Sequence, residues 1–147
     1  MDRATKLAAF VAAQDQAYPR AVQELAAGRK ESHWIWFIFP QLAGLGTSAM
    51  SQRFGISSAA EAQSYLDHPV LGQRLRECTR LMLSHAGTKI DSIMGFPDDL
   101  KFRSCMTLFA AGAPDEQLFK EALRVFFKGE RDQRTIALLS NRPSPRR

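Results

Sequence analysis

The stretch ESHWIWFIFPQLAGLGTS, residues 31–48, contains both tryptophans of the chain and decides which fold class the sequence predicts. Its aromatic and β-branched residues would suit an extended strand. The rest of the sequence, however, offers no second strand with which this one could pair. We therefore predict a helix with Ser32 as its N-cap, ended by Pro40, which cannot continue a helix. The glycines that follow predict a turn.

Helical geometry divides the side chains of this segment between two faces. Trp34, Phe37 and Ile38 lie on one face, and His33 and Trp36 lie three residues apart on the other. A segment that is apolar nearly all round belongs in the interior, so we predict that the first three are core residues. Tryptophan and histidine need partners for their polar groups when they are buried. Trp36 or His33 is therefore expected to face a cavity, and the alternative for His33 is a core histidine with its hydrogen bonds satisfied.

Helical periodicity continues along the rest of the chain. Leu7, Phe10 and Val11 follow the spacing of one helical face, and a second helix is expected to begin at Pro19 and to stop at Gly28. Further helices are expected to begin near Ser58, Pro69, Pro97, Asp115 and Asp132.

These signals together predict an all-α fold with a single compact domain of about seven helices. The domain is expected to occupy residues 1–140, and residues 141–147, which are rich in proline and arginine, are predicted to be a disordered basic tail.

Composition excludes several classes of protein. A chain of 147 residues that is 45% hydrophobic and 24% charged has the composition of an ordinary soluble globule. No apolar run approaches the roughly 20 residues that span a bilayer, and the N-terminus lacks the continuous apolar segment of a signal peptide. Cys78 and Cys105 stand alone, as small buried cysteines of cytoplasmic proteins do. We predict a cytoplasmic protein with no membrane association.

The net charge of +5 is a weak indication of nucleic-acid binding. Three arginines of the tail account for most of it: without them 20 − 3 = 17 basic residues face 15 acidic ones. In the body of the chain the charges alternate in sign, as in KEALRVFFKGERDQR, which is typical of a solvated helix face. We do not predict nucleic acid as a partner.

The spacing of the histidines argues against a metal site. His33, His68 and His85 match neither HxxxH nor HExxH. The sequence also lacks a phosphate-binding loop and a dinucleotide-binding fingerprint. No metal and no cofactor are therefore predicted.

The stretch YLDHPVLGQRL supplies a candidate anion site. Tyr65, His68 and Arg74 lie close to the start of a helix, whose free N–H groups suit an anion. The alternative is that Asp67 or His68 merely caps the helix. Gly72, isolated inside this helix, indicates either close packing or the approach of a ligand.

The stretch DDLKFRSCMT supplies a second candidate. Lys101 and Ser104 are neighbours on one face of a helix, and Thr107 lies one further step along it. A desolvated lysine can activate a serine hydroxyl as a nucleophile. A surface lysine beside a buried serine is the more common arrangement, so no catalytic residue is assigned.

Four stretches together resemble a known family. SHWIWFIFPQLAGLGTS, EAQSYLDHPVLGQRL, DDLKFRSCMTLF and FFKGERDQRT are similar to segments of a bacterial family of unknown function that is often labelled calpastatin-like. The resemblance extends from about Phe10 to Leu139 and implies an all-α, single-domain fold, with no activity or cofactor. An inhibitor of the calpastatin kind is expected to be repetitive and poorly folded, and this chain is neither, so protease inhibition is not predicted.

Polar residues at helix ends and beside turns make up the predicted site. We expect them to converge on one concave pocket that binds or processes an anionic small molecule, such as a nucleotide derivative. The alternative is a protein-interaction or regulatory module with no catalytic activity. The predicted ligand-binding residues are His33, Trp36, Gln41, Ser48, His68, Lys101 and Ser104.

Overall fold

The computed structural model describes residues 2–141, and these form a single all-α domain. The helices are α1 (Arg3–Ala27), α2 (Ile35–Ile38), α3 (Ala49–Arg53), α4 (Ala59–Asp67), α5 (Leu71–Leu83), α6 (Ile90–Met94), α7 (Asp98–Gly112), α8 (Gln117–Phe127) and α9 (Gln133–Ser140). The predicted helical class is confirmed, but the described chain has nine helices, where about seven were expected. The difference comes mainly from α3 and α6, which have five residues each and are too short to produce a periodic pattern.

The first helix corrects one prediction. α1 runs unbroken through Pro19, where the sequence predicted a second helix to begin, and it ends as predicted at Gly28, whose φ is 76°. Pro19 lies on the exposed side of the helix, while Ala21 and Leu25 beyond it are fully buried. Packing of this buried face against α5 outweighs the hydrogen bond that a proline removes from a helix.

The tryptophan segment is helical over a shorter range than predicted. α2 begins at Ile35 rather than directly after Ser32, and it ends at Ile38, close to Pro40. Ser32 does not cap the helix: Trp34 precedes α2 at the N-cap position without a side-chain cap, and the Ser32 hydroxyl donates to the carboxylate of Glu24, at 2.6 Å. The predicted serine cap was therefore wrong, because the helix begins three residues after Ser32.

The predicted core residues of this segment are confirmed. Trp34, Phe37 and Ile38 are all buried. The neighbouring Phe39 packs edge-on against Phe102 of α7, with ring centroids 4.9 Å apart. α7 contacts α2, α4, α6, α8 and α9, so it is the central helix on which the others are arranged.

Gly72 is a packing residue. A Cβ atom at this position would lie 2.0 Å from the carbonyl oxygen of Leu66, so no larger residue fits between α4 and α5. Of the two alternatives that the sequence left open, close packing explains this glycine.

The end of the chain completes the description. Asn141, the first residue of the predicted tail, closes α9, and the remainder of that tail, residues 142–147, lies outside the described residues. Within the described part of the chain, no helix combines the length and the apolar character that crossing a membrane requires.

Candidate functional site

A groove lies where the start of α7, the loop 41–51 and the start of α9 meet. It encloses about 280 Å³, and we call it the basic groove. Its walls are formed by Gln41, Leu45, Gly46, Ser51, Pro97, Leu100, Lys101, Arg103, Ser104, Asp132 and Arg134.

The loop that forms one wall is held by backbone hydrogen bonds. Ile56 N donates to the carbonyl of Gln41 at 2.9 Å, and Ala43 N donates to the carbonyl of Ile56 at 2.7 Å. Further along, a Cβ atom at Gly46 would lie 2.6 Å from Ser51 Oγ. The loop therefore turns tightly at a glycine and brings Gln41 and Ser51 to the same wall.

Lys101 is the cation at the start of α7. Its Nζ lies 3.5 Å from a carboxylate oxygen of Asp98 and 5.6 Å from the ring centroid of Trp36. The other oxygen of Asp98 pairs with Lys30 Nζ at 2.8 Å. One carboxylate thus serves two lysines, and Lys101 is only partly neutralised.

Arg103 carries an unused hydrogen-bond donor. Its guanidinium lies 5.7 Å from the ring centroid of Phe127, and its Nε is buried without a hydrogen-bond partner among residues 2–141. Buried polar atoms of proteins are nearly always paired, so an orphaned one calls for a physical explanation.

The start of α9 adds one carboxylate and one further cation. Asp132 caps the helix: its Oδ2 accepts from the amide and the hydroxyl of Thr135, at 3.0 and 2.6 Å. Its own amide donates to Thr107 Oγ1 of α7 at 2.9 Å, which ties α9 to α7. Arg134 lies in the first turn of α9 and is exposed. Among residues 2–141, the groove lining therefore holds three cationic side chains and a single carboxylate, one oxygen of which is engaged in capping.

Ser104 is buried, and its hydroxyl donates to the carbonyl of Leu100 at 3.1 Å. This is the back-bond that serine commonly forms within a helix. Since its proton is directed to the backbone and not to Lys101, the geometry favours a structural serine over an activated nucleophile.

A narrow crevice adjoins the groove and contains Trp36. It shares Gln41, Gly46 and Ser51 with the groove and is otherwise lined by Trp36, Leu42, Met50 and Phe54. Of the two residues expected to face a cavity, Trp36 does so, whereas His33 is exposed. The crevice holds only about 10 Å³, roughly the space of one water molecule, so no ring of a ligand enters it.

A wider depression continues from the other side of Arg103. It follows the turn between α8 and α9, shares Arg103, Asp132 and Arg134 with the groove, and adds Arg131 and Glu130. A ligand in the basic groove would therefore have an open approach along this turn.

The predicted site residues divide into two sets. Gln41, Lys101 and Ser104 line the basic groove, and Trp36 lies under Lys101. His33, Ser48 and His68 are not among the residues that line it.

The side chains of Ser48 and His68 are engaged as helix caps. Ser48 Oγ accepts from Ser51 N at 3.1 Å at the start of α3. His68 Nδ1 accepts from Val70 N and Leu71 N, at 3.1 and 3.3 Å, at the start of α5. The capping alternative considered for His68 therefore describes the hydrogen bonds of its ring.

Sequence reasoning missed the arginines of the groove. Arg103 lies two positions after Lys101, a spacing that puts residues on different sides of a helix, so their common wall was not visible in the pattern. Arg134 belongs to the charged stretch that was interpreted as a solvated face. For Arg134, the available signal was the stretch FFKGERDQRT, which is part of the family resemblance but to which no function was assigned.

Among the described residues, no three or more histidine, cysteine, aspartate or glutamate side chains come together as metal ligands do.

Comparisons with known proteins place the chain in a family. The family described as "Protein of unknown function (DUF1810)" matches residues 4–139, and the chain belongs to it. Among solved structures, the conserved hypothetical protein Rv1873 from Mycobacterium tuberculosis is 51% identical and superposes with a TM-score of 0.89, over 91% of this chain and 96% of that one. Comparison with curated proteins gives no match.

Proposed function

We propose that this member of the family binds a compact anionic small molecule in the basic groove. The observation that carries the proposal is the meeting of Lys101, Arg103 and Arg134 in the lining of one groove, where the single lining carboxylate among residues 2–141 is that of Asp132, which caps α9. Guanidinium and ammonium groups bind phosphoryl and carboxylate oxygens through charge-assisted hydrogen bonds, and an oxyanion would offer acceptors to all three side chains.

The size of the groove supports a small ligand. Its volume of about 280 Å³ lies just below that of typical ligand pockets, which enclose about 300–1,000 Å³. A simple phosphate ester fits this volume better than a dinucleotide. Because the crevice at Trp36 is too narrow for a base, a nucleotide derivative would have to extend into the depression beside Arg131.

The groups around the groove favour binding over catalysis. No histidine or cysteine lines its wall. The hydroxyl proton of Ser104 is directed to a carbonyl, and Asp132 uses a carboxylate oxygen as a helix cap. General acid–base catalysis needs a side chain that can exchange a proton with the ligand, and the groove offers little for that role.

The alternative function, a protein-interaction or regulatory module with no catalytic activity, is supported by a different observation. Phe96 is 78% exposed and Leu100 is 40% exposed, and side chains of this kind are common anchors of protein interfaces. An interaction module would need these residues and would not need an anion in the groove.

Titration calorimetry with inorganic phosphate tests the proposal. Wild-type protein is expected to bind phosphate, and Arg134→Gln is expected to weaken binding about tenfold, since one charge-assisted hydrogen bond contributes about 1.5–3 kcal/mol. Arg80→Gln is the matched control, because Arg80 is also exposed and lines an open depression elsewhere, on α5. No binding at millimolar phosphate, or equal effects of the two variants, would contradict the proposal.

Arg103→Lys provides a second, conservative variant. It keeps the positive charge but removes the planar fork of donors, so weaker binding would show that the geometry of the guanidinium contributes. Unchanged binding would limit the role of Arg103 to its charge.

The proposal places this function in the cytoplasm. Cys78 and Cys105 are both free and buried, which suits the reducing environment that the sequence predicts.

A further inference from the structure

We propose that the anion bound by the basic groove carries an apolar body, so that the ligand class is an aryl or alkyl oxyanion and not a sugar phosphate. This inference rests on the proposed function and narrows it.

The first observation is that the lining of the groove is not wholly polar. Leu45, Pro97 and Leu100 belong to it beside the cations. These three side chains have neither a donor nor an acceptor. A hydroxylated ligand body placed against them would lose hydrogen bonds to water without replacement, which costs free energy.

The second observation is that two large apolar side chains, one in this lining and one next to it in sequence, are exposed to solvent. Among residues 2–141, Phe96 and Leu100 are the two large hydrophobic residues that are exposed to solvent, with exposed fractions of 78% and 40%. A single exposed hydrophobic residue is ordinary on a protein surface. Here Leu100 is part of the groove, and Phe96 directly precedes its neighbour Pro97.

The third observation is the short distance along the chain between the two kinds of contact. Pro97, Leu100 and Lys101 lie within about one turn at the start of α7, and Lys101 is the residue that follows Leu100. A ligand whose oxyanion binds the cations therefore places its next atoms beside Leu100. An aryl or alkyl body would remove apolar surface from water on both partners.

A comparison of three probes tests this inference by calorimetry: inorganic phosphate as the head group alone, glycerol phosphate with a polar body, and phenyl phosphate with an apolar one. Phenyl phosphate is expected to bind about tenfold more tightly than glycerol phosphate, a factor that corresponds to about 1.4 kcal/mol. Benzoate, measured in parallel, establishes whether the head group is a phosphoryl or a carboxylate group. The proposal is supported if either aryl anion binds more tightly than glycerol phosphate.

Two variants locate the preference. Leu100→Asn, in the lining of the groove, is expected to lower the affinity for phenyl phosphate several-fold more than that for inorganic phosphate. Phe96→Ala, just outside the lining, is expected to remove a smaller part of the preference and to leave the affinity for inorganic phosphate unchanged. Both side chains are exposed, so neither change removes a buried core residue. Leu81→Ser is the matched control, because Leu81 lines the separate depression on α5 and is expected to leave the preference intact.

The outcomes separate the two proposals. If inorganic phosphate binds but phenyl phosphate is no tighter than glycerol phosphate, this inference is overturned and the proposed function stands. If the preference survives in both apolar variants, the placement of the apolar body beside Leu100 and Phe96 is overturned, and these two residues become candidates for a protein interface. If none of the probes binds, the proposed function fails and this inference fails with it.

Discussion

Trp34 and Trp36 are two residues apart, yet they belong to two regions that differ in how far their charged groups are paired. Trp34 is buried, and its Nε1 donates to the carboxylate of Glu24 at 2.9 Å. The same carboxylate accepts from Ser32 Oγ at 2.6 Å and from the amides of Glu31 and Ser32, at 2.8 and 3.0 Å. We call these four residues the Glu24 cluster.

The basic groove contrasts with this cluster. Trp36 is only partly buried and lies beneath Lys101, whose partner Asp98 is shared with Lys30, and the Nε of Arg103 has no partner in the described chain. A buried charge with its hydrogen bonds satisfied stabilises the fold and has nothing left to offer a ligand. Cations that line an open groove and are only partly neutralised, as Lys101 is, are the ones available for binding.

Asp98 connects the two regions. Lys30, which pairs with Asp98 at 2.8 Å, also lies 4.9 Å from the ring centroid of Trp34 and donates to the carbonyl of Ser32 at 2.6 Å. The structural cluster thus positions the carboxylate that contacts Lys101. Substitutions on either side should show whether stability and binding can be separated.

The largest expected effect is that of Trp34→Ala. It should lower the free energy of unfolding by about 3–5 kcal/mol, because it empties a core position and leaves Glu24 without one donor. Trp36→Ala is the matched control and should cost less than about 2 kcal/mol, since that side chain is partly exposed. Urea denaturation of both variants measures the difference. An unchanged midpoint for Trp34→Ala would show that the ring is not a core residue.

The next effect concerns pH. Burial raises the pKa of the Glu24 carboxyl, but the hydrogen bonds from Ser32, Glu31 and Trp34 outweigh burial and bring the pKa to about 2, below its usual 4.5. A depressed pKa stabilises the fold above the unfolded value, so the contribution is complete above pH 4.5 and is lost as the pH falls towards 2. A pKa difference of this size corresponds to about 3 kcal/mol.

Glu24→Gln checks the assignment. The variant should be less stable than wild type at pH 7 by about 2 kcal/mol, since it loses hydrogen bonds to a charged acceptor. Between pH 4.5 and 2 its free energy of unfolding should fall less steeply than that of wild type. Parallel curves over this range would assign the acid sensitivity to other carboxylates.

His68→Ala is expected to have a smaller effect, about 1 kcal/mol, because the ring caps α5 through two backbone amides. Its affinity for phosphate should equal that of wild type, since His68 does not line the basic groove. Thermal unfolding and calorimetry on the same variant test both parts. A loss of phosphate affinity without a loss of stability would return His68 to the binding site.

The smallest effect on stability is expected for Lys101→Met. Its ion pair with Asp98 is partly exposed, and such pairs contribute about 0–1 kcal/mol. The affinity for phosphate, by contrast, should fall several-fold because one of the three cations is lost. If stability falls sharply while binding is retained, Lys101 belongs with the structural charges of the Glu24 cluster.

Some of these features could be predicted from local sequence patterns. The spacing of Trp34, Phe37 and Ile38 predicted their burial, because side chains on one helical face share one environment. Lys101 was chosen because it lies at the start of a well-marked helix, and it lines the basic groove. His68 and Ser48 were chosen by the same rule, and their side chains cap helices, because a helix start attracts capping residues as readily as ligands.

The sequence by itself determined the helical class, the single domain and the buried aromatic segment, because these depend on the periodicity of side chains over a few turns. Only the tertiary structure decided which charges meet. Arg134 reaches the wall of Lys101 because Asp132 and Thr107 join α9 to α7, and Gln41 reaches it because the loop pairs with Ile56. Ser32 failed as a cap because the helix begins only at Ile35, and the Ser32 hydroxyl donates instead to Glu24 of the preceding helix. Contacts between distant segments are set by packing, and they cannot be inferred from the spacing of residues within one segment.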